Sequence, residues 1–202
     1  MNNTLPNTDQ APANEPRKSQ PFAVAQVASA ARVERGNDLY ETPACAVHAL
    51  LKVEKIPRAV WESAAGGSAI VIVLRATGHF VVGTDISEGR DFFQEREMPA
   101  GTACITNPPF AKADRFAAHT LTLAPKGALL LPLGFYESVK RTPILEGGQL
   151  ARVWVFRNRL PGMHRAGWSG NKSSNAVAFA WFVWCRNHNG PPTLHRLTAE
   201  GR

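Results

Sequence analysis

The chain has 202 residues, a formal net charge of +7, a pI near 9.8 and 44 % hydrophobic residues. This length suits one globular domain with a real core, and the positive balance suits a polyanionic partner. Cys45, Cys104 and Cys185 lie far apart, and the six histidines show no ligand spacing, so neither a disulfide framework nor a metal site is expected.

Residues 1–35 read as a disordered tail, because the stretch 1–20 is rich in Asn, Pro, Gln and Thr. The alanine-rich stretch 22–31 is too short to span a membrane, and no signal-peptide core precedes it. No membrane partner and a cytoplasmic location are therefore expected. A single domain is expected over 36–190, followed by a C-terminal tail over 191–202. The domain opens with a short apolar strand, Ala59-Val60-Trp61, that ends in Glu62 and turns through Ser63-Ala64-Ala65-Gly66-Gly67-Ser68. Residues 69–77 are β-branched yet read as a helix, since Gly78 supplies a stop and residues 80–84 read as the next strand. Asp85 then stands at a strand tip, 23 residues after Glu62 (85 − 62). An acid there can accept from two ribose hydroxyls, and a glycine turn lets a cofactor approach the backbone. No G-x-G-x-x-G follows the first strand, so a phosphate-free nucleoside fits better than a dinucleotide.

The run Thr102-Ala103-Cys104-Ile105-Thr106 stops at Asn107-Pro108-Pro109-Phe110. Tandem proline ends any strand or helix, and Asn107, preceding proline, is pushed into extended geometry. Its carboxamide and the neighbouring carbonyls form an acceptor cluster able to grip an exocyclic amine, with Phe110 as a stacking plate. A helix over 114–123, a tight turn at Pro125-Lys126-Gly127 and a buried strand over 128–132 follow. Further strands are expected over 151–156 and 176–184. Both faces of the last are apolar, which marks a central strand covered on both sides. The alternation predicts an α/β fold with a mostly parallel sheet, placing Glu62, Asp85 and Asn107 together at its carboxyl edge. Arg141, Arg152, Arg157, Arg159 and Arg165 lie between Lys140 and Lys172 against the single acid Glu146, and Met163, His164 and Trp168 are interleaved. Such a loop suits phosphate contact and base stacking.

These segments together resemble the S-adenosylmethionine-dependent DNA adenine-N6 methyltransferases, in particular short phage and prophage members, over roughly residues 38–186. Asn107-Pro108-Pro109-Phe110 matches the N-P-P-[FYW] motif of enzymes that methylate amino groups. The resemblance implies a Rossmann-like class I methyltransferase fold, S-adenosyl-L-methionine as cofactor and DNA as partner. It places Asn107, Pro108, Pro109 and Phe110 at the catalytic corner. The segment Asp38-Leu39-Tyr40-Glu41-Thr42-Pro43 is similar to the family's D-x-Y-x-T-P, so Tyr40, Thr42 and Pro43 would cover the cofactor. Glu62, Ala64 and Gly66 would line its methionine end, Asp85 and Ile86 its ribose, and Asp91 and Phe92 its adenine. Arg159, His164, Arg165, Trp168 and Lys172 would meet the substrate, within a candidate recognition insert over 134–175. The chain departs from the pattern at Ser63, where the family usually has proline, and at Ser68, where it has a second glycine. A serine forced to positive φ costs roughly 1 kcal/mol, unless Gly67 takes up the turn one position early.

Gly66 and Asn107 are 41 residues apart (107 − 66), too few to hold a separate recognition domain. A short target sequence is therefore expected. Other readings stay open on the residues alone: a cofactor- or nucleic-acid-binding module without turnover, or transfer to RNA, to cytosine N4 or to a protein glutamine amide.

Overall fold

The computed structural model describes residues 41–163 and 177–200, besides Met1. Seven strands form one sheet: β1 (Ala59–Glu62), β2 (Phe80–Gly83), β3 (Ala103–Thr106), β4 (Lys126–Pro132), β5 (Leu150–Phe156), β6 (Phe179–Cys185) and β7 (Thr193–Leu197). Their order is β2-β1-β3-β4-β6-β5-β7. Strand β6 runs antiparallel to both β4 and β5, and every other pairing is parallel. The expected mostly parallel sheet is thus present, with one reversed strand near its middle.

Helices α1 (Ala44–Val53), α2 (Ala69–Ala76) and α3 (Ala113–Leu123) flank the sheet. One face packs Ala46, Val47 and Leu50 of α1 and Ile70, Val73 and Leu74 of α2 against Val60, Val81, Ile105, Leu130, Trp181 and Val183. The other packs Phe116 and Ala117 of α3 against Trp61, Cys104, Leu129, Leu131, Phe182 and Trp184. Alternate residues of β6 therefore serve both cores, as its two apolar faces require. Its tryptophans also bond outward: Trp181 Nε1 donates to the Ala46 carbonyl (2.9 Å) and Trp184 Nε1 to that of Ile144 (2.8 Å). Each large ring thus keeps its polar handle satisfied while buried.

Two boundaries differ from expectation. Lys126 and Gly127 belong to β4 and pair with Ala103 and Cys104 of β3, so the turn out of α3 occupies Ala124 and Pro125. Residues 191–202, expected as a tail, supply β7, which pairs with β5 from Arg152 to Phe156. Strand β5, expected over 151–156, is present as part of the sheet. Helix α1 carries no strand-like alternation. Pro43 precedes it at φ −60°, and its apolar residues recur at helical spacing.

At the amino end of the strands Glu54, the C-cap of α1, ties that helix to the sheet. Its buried carboxylate accepts from Lys126 Nζ (2.6 Å), from Trp154 Nε1 (2.8 Å) and from the Arg152 guanidinium. Burial raises the Glu54 carboxyl, but these donors outweigh it and hold it below its ordinary value.

Candidate active site

The carboxyl ends of β1, β2 and β3 open onto one cleft of about 360 Å³, a size usual for small-ligand sites. Backbone bonds bring the loops together there. Thr84 N–H donates to the Glu62 carbonyl (2.9 Å) and Ala65 N–H to that of Thr84 (2.9 Å), extending the β1–β2 pairing past the strands. Close approach of β2 to α2 needs Gly83, because a Cβ there would sit 2.8 Å from Val71 Cγ2. The turn after β1 uses positive φ at Gly66 (46°) and again at Ser68 (64°), which is the N-cap of α2. Ser68 thus adopts the conformation expected of a glycine, and Gly67 does not take it over. The Ser68 side chain makes no capping bond that would offset the strain.

Asp85 anchors this turn. Its Oδ2 accepts from Gly66 N–H (3.0 Å), and its Oδ1 accepts from Ser87 N–H (2.9 Å) and Ser87 Oγ–H (2.7 Å). Burial raises the carboxyl, but the Ser87 and Gly66 bonds prevail and hold it below its ordinary value. Asp85 is therefore a charged acceptor at neutral pH.

Glu62 is the opposite case. It is 1 % exposed. Its Oε1 accepts one long bond from Ala64 N–H (3.3 Å), and Oε2 meets no donor in hydrogen-bonding geometry among the described residues. Burial pushes the carboxyl up to about 8, against the weaker pull of the Thr106 hydroxyl and the Ala64 amide. Behind it, burial pushes the Cys104 thiol up to about 11, so Cys104 is no nucleophile at neutral pH.

The proline corner closes the cleft on the β3 side. Asn107, Pro109 and Lys112 line it. Pro109 is extended at φ −53° and ψ 122°, and its carbonyl accepts from Lys112 N–H (2.9 Å) as the chain enters α3. Asn107 Nδ2 donates to Met163 Sδ (3.7 Å), so the root of the basic loop touches the corner. Pro108 is buried, and Phe110 leans on Phe179 with ring centroids 5.7 Å apart.

Of the cofactor residues expected from sequence, Thr42, Glu62, Ala64, Gly66, Asp85 and Ile86 line the cleft. Pro43 caps α1 instead. Asp91 starts a short 3-10 turn and accepts from Phe93 N–H (3.0 Å), away from the cleft lining. Phe92 is 2 % exposed and packs edge-on against Trp61 (5.4 Å) and flat on Phe116 (5.1 Å), which makes it a core residue. Arg159 is exposed. Tyr40, His164, Arg165, Trp168 and Lys172 lie outside the described residues. Sequence reasoning missed Glu41, Ser87, Ala69, Ile70 and Lys112, all in the lining. Ser87 was legible as the residue two beyond an aspartate, the usual partner in an Asx turn. Lys112 is exposed and forms no ion pair among the described residues. Groups of His, Cys, Asp and Glu able to hold a metal are absent among the described residues.

No family model matches the sequence, and no curated protein does. Among solved structures the chain is similar to a modification subunit of a candidate type I restriction enzyme from Vibrio vulnificus. The identity is 14 % and the TM-score 0.53, covering 89 % of this chain and 51 % of that one. It is also similar to a candidate RNA methyltransferase from Pyrococcus horikoshii, at 14 % identity and TM-score 0.51, covering 72 % of this chain and 86 % of that one. The chain spans about half the length of the first. At these identities the likeness is one of fold. Sheet order, flanking helices and these two neighbours together make this a Rossmann-like class I methyltransferase fold.

Proposed function

We propose that the chain transfers a methyl group from S-adenosyl-L-methionine to the exocyclic N6 amine of adenine in DNA. The observation that carries this reading is the meeting of Glu62, Asp85 and Asn107 in one cleft at the carboxyl edge of β1, β2 and β3. The residues present fit the cofactor. The glycine turn gives close backbone approach, Asp85 offers charged acceptors for ribose hydroxyls, and Glu62 offers an unsatisfied carboxyl for an ammonium group. When bound, the cofactor supplies an electrophilic sulfonium methyl.

The chain's own residues then need only position and polarise the amine. Adenine N6 is conjugated into its ring and is a poor nucleophile. In this reading Asn107 Oδ1 and the Pro108 carbonyl accept its two hydrogens, which localises the lone pair on nitrogen. No general base is required. Orientation and electrostatics supply the rate. A base in a duplex cannot reach the cleft, so the target is flipped out, and the Arg and Trp residues of the 159–175 loop hold the surrounding strand. The contact between Met163 and Asn107 supports that role, since it roots this loop at the corner.

The test is tritiated-methyl transfer from S-adenosylmethionine to unmethylated genomic DNA, with nucleoside digestion of the product. N6-methyladenine that disappears with Asn107→Ala supports the reading. Incorporation into RNA alone, or N4-methylcytosine as product, would replace the substrate while keeping the chemistry.

A further inference from the structure

The loop that follows β4 carries, after Met1, the most exposed large hydrophobic side chain among the described residues: Val139, at 90 %. Firm anchors hold it there. Leu133 N–H donates to the Ala178 carbonyl (2.8 Å), and Phe135 is buried against Phe182 (5.3 Å) and Trp184 (6.5 Å). Arg141 ties the far side of the loop. Its Nη1 donates to the carbonyls of Phe135 (3.0 Å) and Glu137 (3.1 Å), and its guanidinium lies 4.4 Å over the Phe135 ring. Between these anchors Ser138 holds φ 150° and ψ 124°, backbone that a residue with a Cβ rarely adopts. A braced loop that keeps such strain while holding an aliphatic side chain in water points to a use outside the fold.

Its place in the sheet and its chemistry narrow that use. Pairing of β3 with β4 ends at Thr106 and Leu129, just before Asn107, whereas β4 runs on to Pro132. Those three further residues carry the chain about 10 Å past the proline corner, on the carboxyl side of the sheet. One branched aliphatic tip is too small for the centre of a stable protein interface, which buries about 800 Å² per side. It does suit the gap between two base steps, and β-branching keeps its χ1 fixed. Lys140 and Arg141 follow it against the loop's single acid, Glu137, in a chain of net charge +7.

We propose that Val139 enters a DNA duplex where the target base leaves, filling the stack beside the orphaned partner base, with Lys140 against the adjoining phosphate. This inference rests on the DNA reading above and adds to it the residue that keeps the base out.

The experiment compares methyl transfer to native and to heat-denatured genomic DNA by the unaltered protein, Val139→Ala and Val139→Leu. Only the duplex has a stack to open. Val139→Ala should therefore lose about tenfold on duplex and less than about twofold on single strands. Val139→Leu keeps an aliphatic tip and should stay within about twofold on both. A side chain this exposed adds little to the core, so the urea midpoint and S-adenosylmethionine affinity should not move. A second reading needs no transfer: fluorescence anisotropy of a short duplex with one abasic site opposite thymine, against the intact duplex. The unaltered protein should prefer the abasic duplex by about tenfold, and Val139→Ala should not. If only duplex DNA is methylated, this comparison decides. Equal loss on duplex and single strands, no loss at all, or an abasic preference that survives Val139→Ala would overturn the inference while leaving the methyl-transfer reading intact. A fall in molar mass by light scattering in Val139→Ala would make the tip a contact between copies, and would overturn it too. No transfer to either DNA by the unaltered protein would sink the DNA reading, and this inference with it.

Discussion

Gly66 N–H donates to Asp85 Oδ2 across 3.0 Å, joining the turn after β1 to the tip of β2. One carboxylate thus shapes the loop and faces the cleft. Its other oxygen holds Ser87, so the two loops beside the ligand space share a single anchor. Asp85→Ala removes all of these bonds. It should lower stability by about 1–3 kcal/mol and weaken S-adenosylmethionine binding at least tenfold, read by urea denaturation and calorimetry.

Ser68 holds φ 64° without a capping bond to offset it. Glycine adopts that conformation without a Cβ conflict, so Ser68→Gly should stabilise the chain by about 1 kcal/mol. The midpoint of urea unfolding should rise with an unchanged slope. A fall in the midpoint would mean that the serine hydroxyl has a use of its own.

Asn107 lines the cleft just after β3, whereas the glycine turn is anchored by Asp85. Asn107→Ala should reduce methyl transfer by roughly 10³-fold or more, the scale of losing an oriented polar group from a reacting centre. Cofactor affinity should change by less than about threefold. Parallel loss of both, measured by single-turnover transfer and calorimetry, would put Asn107 in the cofactor site instead.

Glu54 is 3 % exposed at its side chain and joins α1 to Lys126, Arg152 and Trp154. Removing it leaves the partly buried Lys126 and Arg152 without their carboxylate, and Glu54→Ala should cost roughly 1–3 kcal/mol. Its folded carboxyl lies below its ordinary value of 4.5. Its stabilising contribution is therefore fully present above that value and is lost as pH falls through the folded one. Acid unfolding should begin at higher pH when this network is weakened by Lys126→Met.

Glu62 has the opposite sign. Its carboxyl moves from an ordinary 4.5 up to about 8 in the folded chain. The folded state binds the extra proton, so its contribution is full below 4.5 and is lost as pH rises through 8. Ligand-free protein should lose stability between pH 5 and 8, and Glu62→Gln should flatten that slope in thermal unfolding.

Much of this arrangement was legible in the sequence because it is local. A strand ending in an acid, a glycine turn, a helix stop at Gly78 and the proline corner each announce themselves within a few residues. Helix α2 was readable despite Ile70-Val71-Ile72-Val73, since the punctuation on either side overrides β propensity. What failed was long-range. Phe92 follows Asp91 as a cofactor-flanking residue would, yet it is captured by Trp61, Phe116 and His119, which no local pattern joins. Strand β7 has four exposed residues of five and reads as a tail until β5 is known to offer it an edge. Lys126 and Gly127 look like a turn, but β3 supplies the pairing that makes them strand.

The reversed strand also sets a timetable for synthesis. Strands β1, β2 and β3 and the residues of the glycine turn emerge early and can pair among themselves. Strand β5 leaves the ribosome before its neighbour β6 exists, and until residues 179–185 arrive, β4 shows an open edge. A nascent chain stalled in that interval presents unpaired backbone next to the most apolar part of the molecule, a natural target for chaperones and a hazard without them.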